Sequence, residues 1–175
     1  MRKQHPESIS SCLFYGPAGT GKTQVVRAIA AETRSIIYDI SPISLKDVYN
    51  VEKKDGEKLV AMVMTAAKKY APSVIYIDEC EKIFPGKKKK KKGEKKVKKK
   101  LNDPTNPSRI KKALIKWKAK WITSETRITI IGCSSEPHEG GKKEFKKMFD
   151  KAIYFPFPDY STRRLMWKTF IEDRA

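Results

Sequence analysis

Gly16-Pro17-Ala18-Gly19-Thr20-Gly21-Lys22-Thr23 follows the pattern G-x-x-x-x-G-K-[ST] without a departure. Each residue type has a physical task. Glycines let a loop wrap so that successive backbone N–H groups point inward, the geometry that holds phosphate oxygens. A helix starting near Lys22 would add the positive end of its dipole. The Lys22 ammonium would reach β- and γ-phosphates, the Thr23 hydroxyl would ligate magnesium, and Gln24 would continue the phosphate-binding run. A glycine-rich turn can match such a pattern by accident. This one, however, lies between a strand-like and a helix-like segment, which is the context the chemistry requires.

Val74-Ile75-Tyr76-Ile77-Asp78-Glu79 supplies the second group of candidates. A buried strand ending in two carboxylates places both at the carboxyl edge of a parallel sheet, where open α/β folds bind ligands. Asp78 would hold magnesium, mostly through water, and Glu79 would act as general base on an attacking water. The plainer alternative is a solvated acidic helix start, since acids favour that position anyway. The pairing with Lys22, on a separate strand, favours the catalytic reading.

Strands and helices alternate around these residues. Cys12 to Tyr15 is a short apolar run, and Thr23 to Thr33 has helical spacing with Val26, Ile29 and Ala30 on one face. Ser35 to Ile40 is strand-like. Glu57 to Tyr70 carries Leu59, Val63, Ala66 and Tyr70 at helical spacing until Pro72 stops it. Val74 to Ile77 suits a strand buried on both faces. Ser108 is positioned to cap a helix whose Ile110, Leu114, Trp117 and Trp121 share a face, with the two tryptophans packing against the sheet. Ile128 to Cys133 and Ala152 to Phe155 are two further strands, and Ser161 to Glu172 is an amphipathic helix. Such alternation argues for an α/β domain with a mostly parallel sheet covered on both faces.

Composition bounds the remainder. The chain of 175 residues, 39% hydrophobic, suits one domain that needs no disulfide or metal staple. No apolar run approaches the roughly 18 to 20 residues of a spanning helix, and the polar start lacks a signal-peptide core. Three scattered cysteines, Cys12, Cys80 and Cys133, fit small buried hydrophobes in a reducing compartment better than a zinc site. These features predict a soluble intracellular protein. The formal charge is +19, concentrated between Pro85 and Asp103, where eleven lysines face only Glu94 and Asp103. Such a tract cannot offset its ordering entropy by burial, so a mobile loop is expected from Gly86 to about Asn106.

GPAGTGKT, AKKYAPSVIYIDECEKIF, ITIIGCSSEP and FPFPDYSTRR, in this order and spacing, resemble the AAA+ ATPase module from about Ser11 onward. PSVIYIDECEKIFPGKKKKKKG and the aromatic PFPDY are most similar to the IQ and AAA domain-containing proteins, subunits of the nexin–dynein regulatory complex of cilia. The resemblance implies a P-loop NTPase fold, with a five-stranded parallel sheet in the order 5-1-4-3-2 between helices, as in the AAA+ large subdomain. ATP and Mg2+ are the implied cofactors. Residues 1–10 would be a lead-in, 11–158 the nucleotide-binding core with a lysine-rich insertion at about 86–106, and 159–175 the start of a helical lid. Pro158, Asp159 and Arg163 match the hinge into that lid. Most of the lid and its second sensor arginine are then expected to lie in a longer parent protein.

Three departures from the family pattern bear on turnover. The first-sensor asparagine aligns with Ser135, whose hydroxyl can still orient water with shorter reach and fewer bonds. The arginine-finger segment aligns with Phe145 to Asp150, and the two usual arginine positions hold Phe145 and Met148. A finger supplies roughly 10³ to 10⁵ in rate. Lys146 or Lys147 could offer a point charge but not the guanidinium fork, and both equally suit a solvated helix face. The stretch Val48 to Lys54 lacks the aromatic-aliphatic-glycine triplet of substrate-threading relatives.

Three functions therefore stand open. The first is a Mg-ATP-binding domain with slow or conditional hydrolysis in a ciliary axonemal scaffold. The second is an active oligomeric ATPase that remodels or severs a filament or protein. The third is a structural domain with a relict nucleotide site. Axonemal regulatory-complex subunits are the implied partners, in cytoplasm and cytoskeleton. Lys87 to Lys100 could meet an acidic surface such as tubulin. No aromatic platform interleaves that tract, which argues against nucleic acid. No membrane contact is expected, and the oligomeric state stays open.

Overall fold

The computed structural model describes residues 9–45, 55–86, 106–123 and 126–172. Its five strands are β1 (Ser11–Tyr15), β2 (Ile36–Asp39), β3 (Ser73–Ile77), β4 (Ile128–Ser134) and β5 (Lys151–Tyr154). They form one sheet in the order β2-β3-β4-β1-β5, and every pair is parallel. This is the 5-1-4-3-2 order that the resemblance implied. The helices are α1 (Lys22–Glu32), α2 (Pro42–Leu45), α3 (Asp55–Lys69), α4 (Cys80–Ile83), α5 (Lys111–Trp121), α6 (Lys142–Met148) and α7 (Tyr160–Glu172). No helix among the described residues is long and apolar enough to cross a membrane.

Strand alternation divides the core in two. Leu13, Ile75, Ile77, Ile128 and Ile130 face one way and pack with side chains of α3, α4, α5 and α6 in the larger cluster. Cys12, Phe14, Val74, Tyr76, Ile131 and Cys133 face the other way, against Val26 and Ala30 of α1. The central strands β1, β3 and β4 are thus apolar on both faces, as a parallel sheet under helices demands. Phe84, Phe145 and Phe149 join their rings at centroid distances of 6.0 to 6.3 Å, closing the larger core beneath the end of β3. The edge strands and α7 stay open, with Ile153, Tyr154, Leu165, Trp167 and Phe170 exposed.

Some expectations need correction. The buried stripe of α3 is Leu59, Val60, Met64 and Ala67; Val63 is half-buried and Tyr70 exposed. The expected stripe followed the same period but was centred one position away, an error that periodicity cannot detect when apolar residues occupy adjacent rows. The cap before α5 is Asn106 rather than Ser108. The Asn106 carboxamide oxygen accepts from the Ser108 N–H at 3.1 Å and starts a 3-10 turn, Pro107–Ile110, which leads into the helix. Of the α5 face, Ile110 and Leu114 are buried. Trp117 packs on the larger core, whereas Trp121 sits under the Lys68 ammonium of α3 at 4.9 Å instead of on the sheet. The lysine-rich tract and Val48 to Lys54 lie outside the described residues.

Asp150 ties the base of the sheet together. Its carboxylate accepts from Ser10 Oγ at 2.7 Å, Ser11 Oγ at 2.8 Å and Lys118 Nζ at 2.6 Å, joining β5 to β1 and α5. Burial pushes its carboxyl up, but the bonds from Lys118, Ser10 and Ser11 outweigh this and hold it at about 2. A folded value below the unfolded one stabilises above the unfolded pKa and is lost as pH falls. Asp150→Asn should therefore be less stable than wild type at pH 7. The gap should close as pH falls from about 4 to about 2, and urea midpoints measured across that range will check it.

Candidate functional site

β1, β3 and β4 end at the same edge of the sheet, because Tyr15 pairs with Ser134 and Ile77 with Gly132. The loop after β1 holds Gly16 to Gly21, the turn after β3 holds Asp78 and Glu79, and Ser135 follows β4 between them. The candidates from three separate stretches of sequence are thus brought to one edge.

The loop is locked from two sides. The Gly16 N–H donates to the Ser134 carbonyl at 3.2 Å, and Gly16 has φ +151°. A Cβ there would stand 2.1 Å from the Phe155 carbonyl oxygen, so the loop packs directly on backbone leaving β5. Gly21 ends the loop at φ +86°, in the left-handed region, and its carbonyl takes the Val25 N–H at 3.0 Å as α1 begins. Lys22 is buried at 7% exposure. Its ammonium donates to the carbonyls of Gly16 at 2.8 Å and Pro17 at 2.6 Å, across the loop. Thr20 Oγ1 donates to Pro17 O at 2.9 Å and stiffens the turn. Ala18, Gly19 and Gln24 are exposed around this rim.

Asp78 is held by its backbone. Its N–H donates to Ser41 Oγ at 2.7 Å, and Ser41 in turn is bound to the Asp39 carboxylate at the end of β2. Asp78 Oδ1 accepts the Glu79 N–H at 2.9 Å. Glu79 stands at φ 44°, ψ 45°, a left-handed conformation that costs a non-glycine residue roughly 1–2 kcal/mol. Its carboxylate pairs with Lys82 at 2.6 Å, both side chains being partly exposed. Such a surface pair is weak and does not fix the carboxylate against a stronger partner. Thr23 Oγ1 lies 3.2 Å from the Tyr76 hydroxyl.

These side chains suit a magnesium nucleotide. The Lys22 cation lies across the loop, and the oxygens of Thr23 and Asp78 are the hard donors magnesium takes. Among the described residues no cluster of three or more His, Cys, Asp and Glu forms a protein metal cage. The neighbouring cysteines are free and buried. Burial and the Asp78 charge push the Cys133 thiol up to about 12, leaving it neutral and inert.

Ser135 is exposed at the end of β4, whereas Ser134 beside it is fully buried with no partner for its hydroxyl. Phe145 and Met148 point into the core, at 9% and 0% exposure, while Lys146 and Lys147 are exposed on α6. Sequence reasoning missed Ser41 and the Tyr76 hydroxyl. Tyr76 lies in the same apolar run that ends at Asp78, yet its hydroxyl partner Thr23 is far away in sequence. Ser41 gave no local signal.

The family model for the ATPase family associated with various cellular activities (AAA) matches residues 12–157. The chain belongs to the AAA family. Spastin from Ixodes scapularis is 29% identical over 161 residues, which cover 91% of this AAA chain and 22% of that protein. Dynein regulatory complex protein 11 from Mus musculus is 30% identical over 168 residues, 93% of this chain and 18% of that protein. The chain thus spans about a fifth of the length of these relatives. The AAA domain of FIGL-1 in complex with ADP superimposes with a TM-score of 0.68 at 22% identity, over 94% of this chain and 49% of that one. This likeness shows the same AAA fold.

Gly16 tests the locking of the loop. Gly16→Ala should lose ~1–3 kcal/mol or more in urea unfolding, because the new methyl meets unyielding backbone. Gly19→Ala, with nothing within 4 Å of the added Cβ, should lose less.

Proposed function

We propose that the chain is a Mg-ATP-binding AAA domain with slow or conditional hydrolysis, serving an axonemal regulatory scaffold of cilia. The observation that carries this reading is the contrast between two sets of residues. Lys22, Thr23, Asp78 and Glu79 meet at one sheet edge, whereas Phe145 and Met148, where the resemblance expects arginine fingers, are buried in the core. The likeness to dynein regulatory complex protein 11 supports the regulatory-scaffold part, and kinship with the IQ and AAA domain-containing proteins is the finer assignment proposed.

In this mechanism the loop N–H groups and the α1 N-terminus bind the phosphates, and Lys22 exchanges its carbonyl partners for β- and γ-phosphate oxygens. Thr23 and Asp78 would hold Mg2+, which neutralises phosphate charge as the γ-phosphoryl group transfers. Glu79 leaves Lys82 and takes the proton of the attacking water. Ser135, between the loop and the acids, orients that water through a hydroxyl. With no finger from α6, the charge developing on the γ-phosphate is met by this chain's own groups alone.

A second reading is an active oligomeric AAA ATPase that remodels or severs a filament. Spastin's similarity equals that of the regulatory-complex protein, so sequence likeness does not separate the two. Phosphate release from Mg-ATP across protein concentrations will. The expected result is slow, concentration-independent turnover, lowered ~10²- to 10⁴-fold by Glu79→Gln with binding retained. Lys22→Ala should weaken nucleotide binding by ~10-fold or more. Specific activity that climbs with concentration would support the oligomer. Absence of nucleotide binding in wild type would make the site a relict.

A further inference from the structure

Tyr76 lies on the α1 face of β3, 7% exposed among Cys12, Phe14, Val26, Ala30, Ile131 and Cys133. Packing alone would be served equally by phenylalanine. A buried hydroxyl costs free energy unless it finds partners, so the phenol oxygen calls for its own explanation. Thr23 Oγ1, 3.2 Å away, supplies one.

The direction of the Thr23 bond then follows from counting protons. A threonine hydroxyl has one proton and two lone pairs. When a lone pair turns to a cation, the proton must go to an acceptor. Tyr76 Oη, a hydroxyl oxygen with lone pairs at 3.2 Å, is that acceptor.

We propose that Tyr76 is a positioning residue for the cation site: its hydroxyl accepts the Thr23 proton and so fixes the Thr23 rotor with a lone pair facing the divalent cation. This rests on the reading that Thr23 and Asp78 hold magnesium beside the nucleotide.

Fluorescent-ADP titrations of the chain, with Mg2+ varied and again in EDTA, test it. Tyr76→Phe should raise the Mg2+ concentration that gives half the metal-dependent tightening by ~3- to 10-fold, the effect of one hydrogen bond. Affinity in EDTA should match wild type. On a Thr23→Ala background the same substitution should add nothing. On Thr23→Ser it should cost more than in wild type, because serine lacks the β-branch that itself restricts χ1. A wild-type Mg2+ dependence in Tyr76→Phe overturns the proposal. Equal weakening with and without metal overturns it too, by showing a packing role. If wild type gains no affinity from Mg2+, or Thr23→Ala changes nothing, the cation reading of Thr23 and Asp78 fails and the Tyr76 proposal falls with it.

Discussion

The parallel register of β3, β4 and β1 is the constraint from which the site follows. With Tyr15 opposite Ser134 and Ile77 opposite Gly132, the three strands stop at nearly one level. Whatever follows each strand is then delivered to the same edge, although the loop and the acid pair are far apart in sequence. Strand pairing here is enforced by burial on both faces, since a slip of one residue would exchange the side chains of the two core clusters. The large isoleucines and the smaller Cys12, Val74 and Cys133 could not trade places against α3 and α1 without voids on one side and clashes on the other. The position of the loop and the acids is thus a by-product of core packing.

The two outer strands contribute differently. β2 is half exposed, yet its exit through Asp39 and Ser41 fixes the Asp78 backbone. β5 buries little, yet the chain leaving it at Phe155 forms the floor under Gly16. Each outer strand acts on the backbone of the site rather than supplying a reacting side chain. Such contacts hold an acid or a loop at a fixed height while leaving its side chains free to exchange partners, as Lys22 and Glu79 must if phosphate and water are to enter.

Legibility in the sequence tracked the range of the interactions. The glycine loop and the helix after it are set by local backbone needs, so eight adjacent residues suffice to declare them. Strands came from apolar runs, with boundaries within a residue or two of those observed. Strand order came through the family resemblance, since no local rule sets it. The α3 stripe was misjudged because apolar residues occupy two neighbouring rows of the helix. The Ser41–Asp78 bond spans 37 residues, the Thr23–Tyr76 bond 53 and the Ser11–Asp150 bond 139. Polar pairs at such separations have no periodic signature and become visible only after the sheet has been assembled.

The burial of Met148 restricts which side chains this position can accept. At 0% exposure, that position belongs to the core as fully as Ile75 or Leu114. An arginine placed there would have to strand a guanidinium among phenylalanine rings or tear α6 from the sheet to reach a neighbour, and burying an unpaired charge costs several kcal/mol. A charge would be accepted there only after the surrounding side chains had changed, and each such change alone would cost packing. The packing of α6 thus acts as a sieve on sequence drift at this position: large apolar side chains pass and charged ones do not.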